Sequence, residues 1–173
     1  MDAIDYLLKQ HRELEALLEQ AMEAGDGDDA RRLYERAADH LTMHMTAEEQ
    51  VFYPAVRANR TEDILLESLE EHLSLKRVMA DLLPMQPSDR NWEAKLHVLK
   101  EQAEHHHEEE EEHLFPKVRK LIDAEQRQAL GREMIELERK LEKRGEPRER
   151  VSGQTDAAAP LPPAGDVPPA ANR

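Results

Sequence analysis

Cysteine is absent from this chain. That removes disulfides and thiolate ligands and leaves nitrogen and oxygen donors, which suit hard or borderline metals. Aromatic residues make up only 3% of the chain, and no apolar run reaches the length of a membrane span. Positive charge is also in deficit. Lys and Arg number 24 against 38 Asp and Glu, and the formal net charge of −14 argues against nucleic acid and against anionic membrane surfaces. No basic region leads a long apolar run at Met1-Asp2-Ala3-Ile4-Asp5, so no signal peptide is expected and the cytoplasm is the expected compartment. What is abundant is Leu, Ala, Glu, Lys and Arg, with 36% of residues charged, a composition typical of all-helical proteins. The 173 residues amount to one domain, long enough to bury a core.

Apolar periodicity predicts five helices. The first, over 2–24, carries a stripe of Ile4, Leu7, Leu14, Leu18 and Ala21, with His11 in its middle. The run Ala24-Gly25-Asp26-Gly27-Asp28 ends it and offers Asp28 as the next cap. The second, over 28–58, follows Leu33, Ala37, Leu41, His44, Glu48 and Val51, and Pro54 predicts a kink or an early end. The third runs from a cap at Thr61 to about residue 83, with His72 on the face of Leu65, Leu69 and Met79. Ser88 is expected to cap the fourth, whose stripe of Trp92, Leu96, Leu99, Ala103, His106, Glu110 and Leu114 runs into Pro116. Asp123 with Gln126 resembles a capping box for a fifth helix to Arg144, expected to pack on the bundle end or on a second subunit. From residue 146 to 173 the Pro- and Ala-rich composition predicts a disordered tail.

One stretch recurs. His44-Met45-Thr46-Ala47-Glu48-Glu49 leads to Phe52-Tyr53-Pro54, and His106-His107-Glu108-Glu109-Glu110-Glu111 leads to Leu114-Phe115-Pro116, with each matched residue 62 positions later. A His and a Glu four apart project from one helix face, a turn apart. The repeat extends further, since His11 in Gln10-His11-Arg12 matches His72 in Glu71-His72-Leu73. Each half is thus a helical hairpin with one His on its first helix and His-x-x-x-Glu on its second. His11 lies about 15 residues before its turn and His44 about 17 after it, so both reach one level of an up-down-up-down four-helix bundle. Six core-facing ionisable groups, His11, His44, Glu48, His72, His106 and Glu110, are costly to bury without partners. Two divalent cations would satisfy them, with two imidazoles on each and the carboxylates bridging. Imidazole with carboxylate suits iron, manganese or zinc, and a bridged pair favours iron. The plainer alternative is a polar core of His–Glu hydrogen bonds.

These motifs resemble the hemerythrin-like HHE cation-binding domains over roughly residues 2–122. The resemblance implies a four-helix bundle around a non-haem centre of two iron ions, oxo- or hydroxo-bridged, with the same six side chains as ligands. The bundle is thus expected at 1–122, with the additional helix at 123–145 from its periodicity and the tail at 146–173 from its composition. Oxygen-carrying hemerythrins have a second His four residues after the third-helix ligand, where this chain has Lys76. The expected role is therefore that of the stress-linked branch: binding or reacting with oxygen, peroxide or nitric oxide in sensing, stress response or iron and oxygen handling.

The remaining polar residues near the stripes receive bland readings. His105 and His107 are taken as solvated, since three consecutive His span about 200° of helix. Glu110 alone of the Glu108–Glu112 run is expected to face the core. His40 is a rim residue, or else a fifth ligand, and Lys76 is expected to reach water. Tyr6 needs no role at the site, and Tyr53 and Phe115 are expected to close the core below it. A ferritin-like iron oxidation or storage protein is the rival reading, but Glu104-x-x-His107 and Glu110-x-x-His113 both lie in the fourth helix without a partner in the second. A structural or interaction bundle, with homo-oligomerisation through the C-terminal helix, is the third. No nucleophile motif, phosphate loop or dinucleotide fingerprint is present, which points to a metal- and ligand-binding protein rather than a dedicated enzyme.

Overall fold

A computed structural model of the chain describes residues 1–162, and among them there is no strand. The helices are α1 (Ala3–Glu23), α2 (Ala30–Ala47), the short α3 (Tyr53–Ala55), α4 (Glu62–Leu82), α5 (Trp92–Glu109), α6 (Phe115–Leu121) and α7 (Ala124–Arg144). Asp2 caps α1, accepting from the Ile4 amide at 2.8 Å. Asp123 and Gln126 form the expected reciprocal capping box on α7. Elsewhere the caps differ from expectation. Asp29 and Asn91, not Asp28 and Ser88, precede α2 and α5, and neither makes a side-chain cap bond.

Two π-helical turns, Glu48–Phe52 and Glu110–Leu114, join α2 to α3 and α5 to α6. Proline explains both. Pro54 and Pro116 have no N–H, so the carbonyls of Gln50 and Glu112 lose their donors four residues on. The backbone widens instead, and the Tyr53 and Phe115 amides donate to Glu48 and Glu110, five residues back. The first proline ends its helix within two residues, whereas the second is carried through into α6.

The hairpins α1–α2 and α4–α5 pack together through α1 and α5 into a four-helix bundle. Its core has two apolar parts. One holds Leu14, Leu18, Leu41, Met79, Leu99 and the edge-on pair Tyr34 and Trp92. The other holds Ile4, Leu7, Phe52, Leu65, Leu69, Phe115 and Val118. His11 lies between Leu7 and Leu14 on one helix, so the buried polar residues form a layer between the two parts.

Helix α7 lies along α1 and α2 of its own bundle rather than across the bundle end. Gly131 permits the approach, because a Cβ there would stand 2.1 Å from the Met1 carbonyl oxygen.

The expectation of a disordered tail fails over 146–162. A 3-10 helix, Pro147–Gln154, returns to α2 and α4, and Val151 is fully buried in the core. Arg148 binds Asp39 at 2.8 Å, and Arg77 donates to the Thr155 carbonyl at 3.0 Å. Two buried residues, Pro147 and Val151, in so short a helix leave no periodic trace in the sequence. Residues 163–173, the rest of the expected tail, lie outside the described residues.

Burying one Val contributes about 1.5–3 kcal/mol, and each kcal/mol moves the melting temperature of a domain this size by about 2–4 °C. Deleting residues 146–173 should therefore lower the melting temperature by roughly 3–12 °C in a thermal scan. An unchanged midpoint would show that the segment adds nothing to the fold.

Candidate metal centre

All six side chains singled out by the repeat are buried in the polar layer, each at most 1% exposed. They converge as two overlapping groups. His11, His44, Glu48 and Glu110 bring one ligand atom each to within 4.8 Å of one another, and Glu48, His72 and His106 form the second group. The carboxylates lie between the pairs of imidazoles. His44 Nε2 is 3.1 Å and His72 Nε2 is 3.3 Å from the same oxygen of Glu48. Glu110 Oε1 is likewise 3.4 Å from His11 Nε2 and 3.2 Å from His106 Nε2.

Close approach is not matched by bonding. His11 Nε2, His44 Nε2, Glu48 Oε1 and Glu110 Oε1 are buried and make no hydrogen bond among the described residues. A polar core of His–Glu hydrogen bonds would align these atoms with each other. Donors about 2.1 Å from a shared cation and at right angles around it stand about 3 Å apart, aimed past one another. The donor set fits a cation.

The outward ring nitrogens are held in a pattern that follows the repeat. Residues directly before the first-helix histidines serve the second-helix ones: His44 Nδ1 is 2.9 Å from Gln10 Oε1, and His106 Nδ1 is 3.1 Å from Glu71 Oε1. The second Glu of each motif serves the first-helix histidines. Glu49 is 2.7 Å from His72 Nδ1, and Glu111 is 2.9 Å from His11 Nδ1. Such partners fix the tautomer and turn Nε2 inward. The expectation that Glu111 is merely solvated is thus corrected, and the doubled Glu at matched positions was the available signal. Gln10 continues outward, donating to Glu138 on α7 at 2.8 Å, and Tyr6 bonds the same carboxylate.

Two further expectations are overturned. Lys76 does not reach water; it is 4% exposed and its Nζ lies 2.9 Å from Glu49. His107 is not solvated; it is 1% exposed, stacked on His11 with ring centroids 3.9 Å apart. His107 lies in the regular part of α5 where that helix packs on α1, so α1 covers its ring, which a wheel of α5 alone does not show. His105 is exposed, as expected, His113 is exposed as well, and His40 is half-buried outside both groups.

Tyr53 does more than close the core. Its hydroxyl donates to Glu110 Oε2 at 3.0 Å and lies 3.2 Å from His72 Nε2. In an α-helix Tyr53 would point away from Glu48, but the π turn brings residues five apart toward one face. Phe115, its counterpart, stacks instead near His11, with centroids 5.8 Å apart.

Electrostatics follow from burial and the carboxylates. Burial opposes charge on His106, but Glu110, Glu48 and Glu71 outweigh it and hold the imidazole protonated well above its usual range. The same competition raises His11 and His72. Glu48 is held ionised well below the usual carboxylate range, since its histidine partners overcome its burial. Burial, with the charges of His11, His44 and His106, keeps His107 neutral. Burial and the charges of Glu110 and Glu48 keep the Tyr53 phenol protonated.

A protein of Nostoc sp. (strain PCC 7120 / SAG 25.82 / UTEX 2576) described as a DNA nickase is 24% identical over 158 residues. The match covers 91% of this chain but only 43% of that relative, so the chain spans less than half its length. No solved structure gives a significant match. A family model, the hemerythrin HHE cation binding domain, matches residues 2–118, which takes in all six side chains of the polar layer. On that match, the chain belongs to the hemerythrin HHE cation-binding family.

Proposed function

We propose that this is a non-haem di-iron protein whose centre binds or reacts with oxygen, peroxide or nitric oxide. The observation that carries it is the convergence of four buried, unbonded donor atoms on one layer of the bundle. His11 and His44 would hold one ion and His72 and His106 the other, with Glu48 and Glu110 reaching both. Two irons supply exchangeable electrons and open positions for a small ligand. The chain supplies the rest. Gln10, Glu49, Glu71 and Glu111 orient the imidazoles, and the apolar clusters exclude bulk water. Tyr53 keeps its proton and can donate it as a hydrogen bond beside His72. An open cleft of about 510 Å³ between α4 and α6, lined by Ser68, Glu71 and Glu109 among others, exposes Glu71, the outer partner of His106.

The likeness to a DNA nickase raises a second reading, strand cleavage in DNA. The net charge of −14 opposes it, because a phosphate backbone would be repelled. Incubation of the iron-loaded protein, freed of unbound iron, with supercoiled plasmid and with a protein-free control separates the two, and the di-iron reading expects no nicking above that control.

Glu110→Ala should lose at least one iron per chain by metal analysis, because a shared carboxylate disappears. Glu109→Ala, which alters a residue outside both groups, should retain the full content. Equal loss in both variants would contradict the assignment.

Lys76 stands bonded to Glu49 where a further His would add a nitrogen donor. The His72 side is accordingly poorer in nitrogen, which favours oxidation over reversible oxygen carriage. Stopped-flow absorbance on the anaerobically reduced protein should show irreversible oxidation by air and a response to nitric oxide. Oxygen uptake that reverses on degassing would identify a carrier instead. Silence toward oxygen, peroxide and nitric oxide would favour a structural bundle.

A further inference from the structure

We infer that His107 is a fifth imidazole ligand, to the metal held by His11 and His44. The inference rests on the two-metal reading above and adds a residue outside the six that the repeat selects. His107 shares a layer with His11 and His44, and one ring nitrogen of each lies within 4.8 Å of the others. Its ring is stacked on His11 at an interplanar angle of 9° and stands edge-on to His44 at 5.5 Å between centroids. Stacking keeps the His107 ring directly beside the His11 ring, within the group whose nitrogens could share a cation.

Neither ring nitrogen of His107 makes a hydrogen bond among the described residues, although the residue is 1% exposed. Core histidines that serve only packing have at least one nitrogen satisfied. His107 has instead the start of the arrangement seen at the other four, with Nδ1 lying 3.5 Å from the Glu15 carboxylate. An outer carboxylate on Nδ1 and a free inward Nε2 is the form in which a histidine meets a metal.

The repeat shows why the extra donor falls on this side. Positions related by 62 place Met45 opposite His107 and Phe115 opposite Tyr53. Near His72 and His106 the layer has the Tyr53 hydroxyl, within 3.2 Å of His72 Nε2 and 3.5 Å of His106 Nε2. Near His11 the equivalent ring is Phe115, which offers no polar atom. His107 fills that deficit. The two metals would then differ, one with three imidazoles and one with two, so they would differ in affinity and in openness to an incoming ligand.

The test uses the full chain loaded with Co(II), whose paramagnetism shifts the exchangeable N–H protons of bound imidazoles far outside the ordinary NMR range. Five such resonances are expected, and four would overturn the inference. Calorimetric titration of His107→Phe with Co(II) should show one site weakened by at least about 10–100-fold, since even losing an outer partner costs that much. The other site should stay unchanged. Wild-type-like titration of the variant would mean that His107 is only a packed ring. Should the variant fail to fold, the wild-type count decides alone. No metal uptake by the wild type would instead remove the two-metal reading itself.

Discussion

Ionisable side chains in an apolar core need partners, and this bundle places six of them in one layer between two hydrophobic clusters. The rest of the structure answers that constraint. Burial opposes charge in the layer, yet Glu110 and Glu48 raise the pKa of His106, which favours a proton there, and the histidines around Glu48 lower its pKa in return. Four inward atoms still lack bonds. A metal would have to displace that proton, so binding is linked to proton release and weakens as pH falls. The same centre that costs stability when empty would tie all four helices together when filled.

Duplication is the second organising fact. Two hairpins of similar sequence supply inner donors at matched positions, and the outer partners are matched too: Gln10 and Glu71 act within their own hairpins, while Glu49 and Glu111 each reach across to the other. Departures from the symmetry distinguish the two halves of the layer. Tyr53 faces Phe115 across the repeat, and His107 faces Met45. Helix α7 adds a further asymmetry, since Glu138 reaches His44 through Gln10 and has no counterpart near His106 among the described residues. One half of the centre is therefore braced by an element outside the matched family region.

Much of this was legible in the sequence because long helices with strong stripes leave a periodic record. His11, His44, His72 and His106 could be placed in one layer by counting residues from the turns. What escaped depends on local departures from a regular helix. The π turns put Tyr53 beside Glu48 and Glu110, although a wheel at 100° per residue sends it elsewhere. Close packing of α1 on α5 buried His107, and the Glu49 carboxylate drew Lys76 inward. The segment around Val151 buries only that residue and Pro147 in a Pro- and charge-rich context, too sparse for any pattern to reveal. In each case tertiary contact decided what local periodicity could not.

The central claim is that the polar layer exists to hold two metal ions. Crystals of the iron-loaded full chain, measured on either side of the iron absorption edge, test it most directly. Two anomalous peaks should lie in the layer, one bounded by His11 and His44 and the other by His72 and His106, with Glu48 and Glu110 between them. An absence of anomalous signal, with the same side chains turned to hydrogen-bond one another or ordered water, would contradict the account.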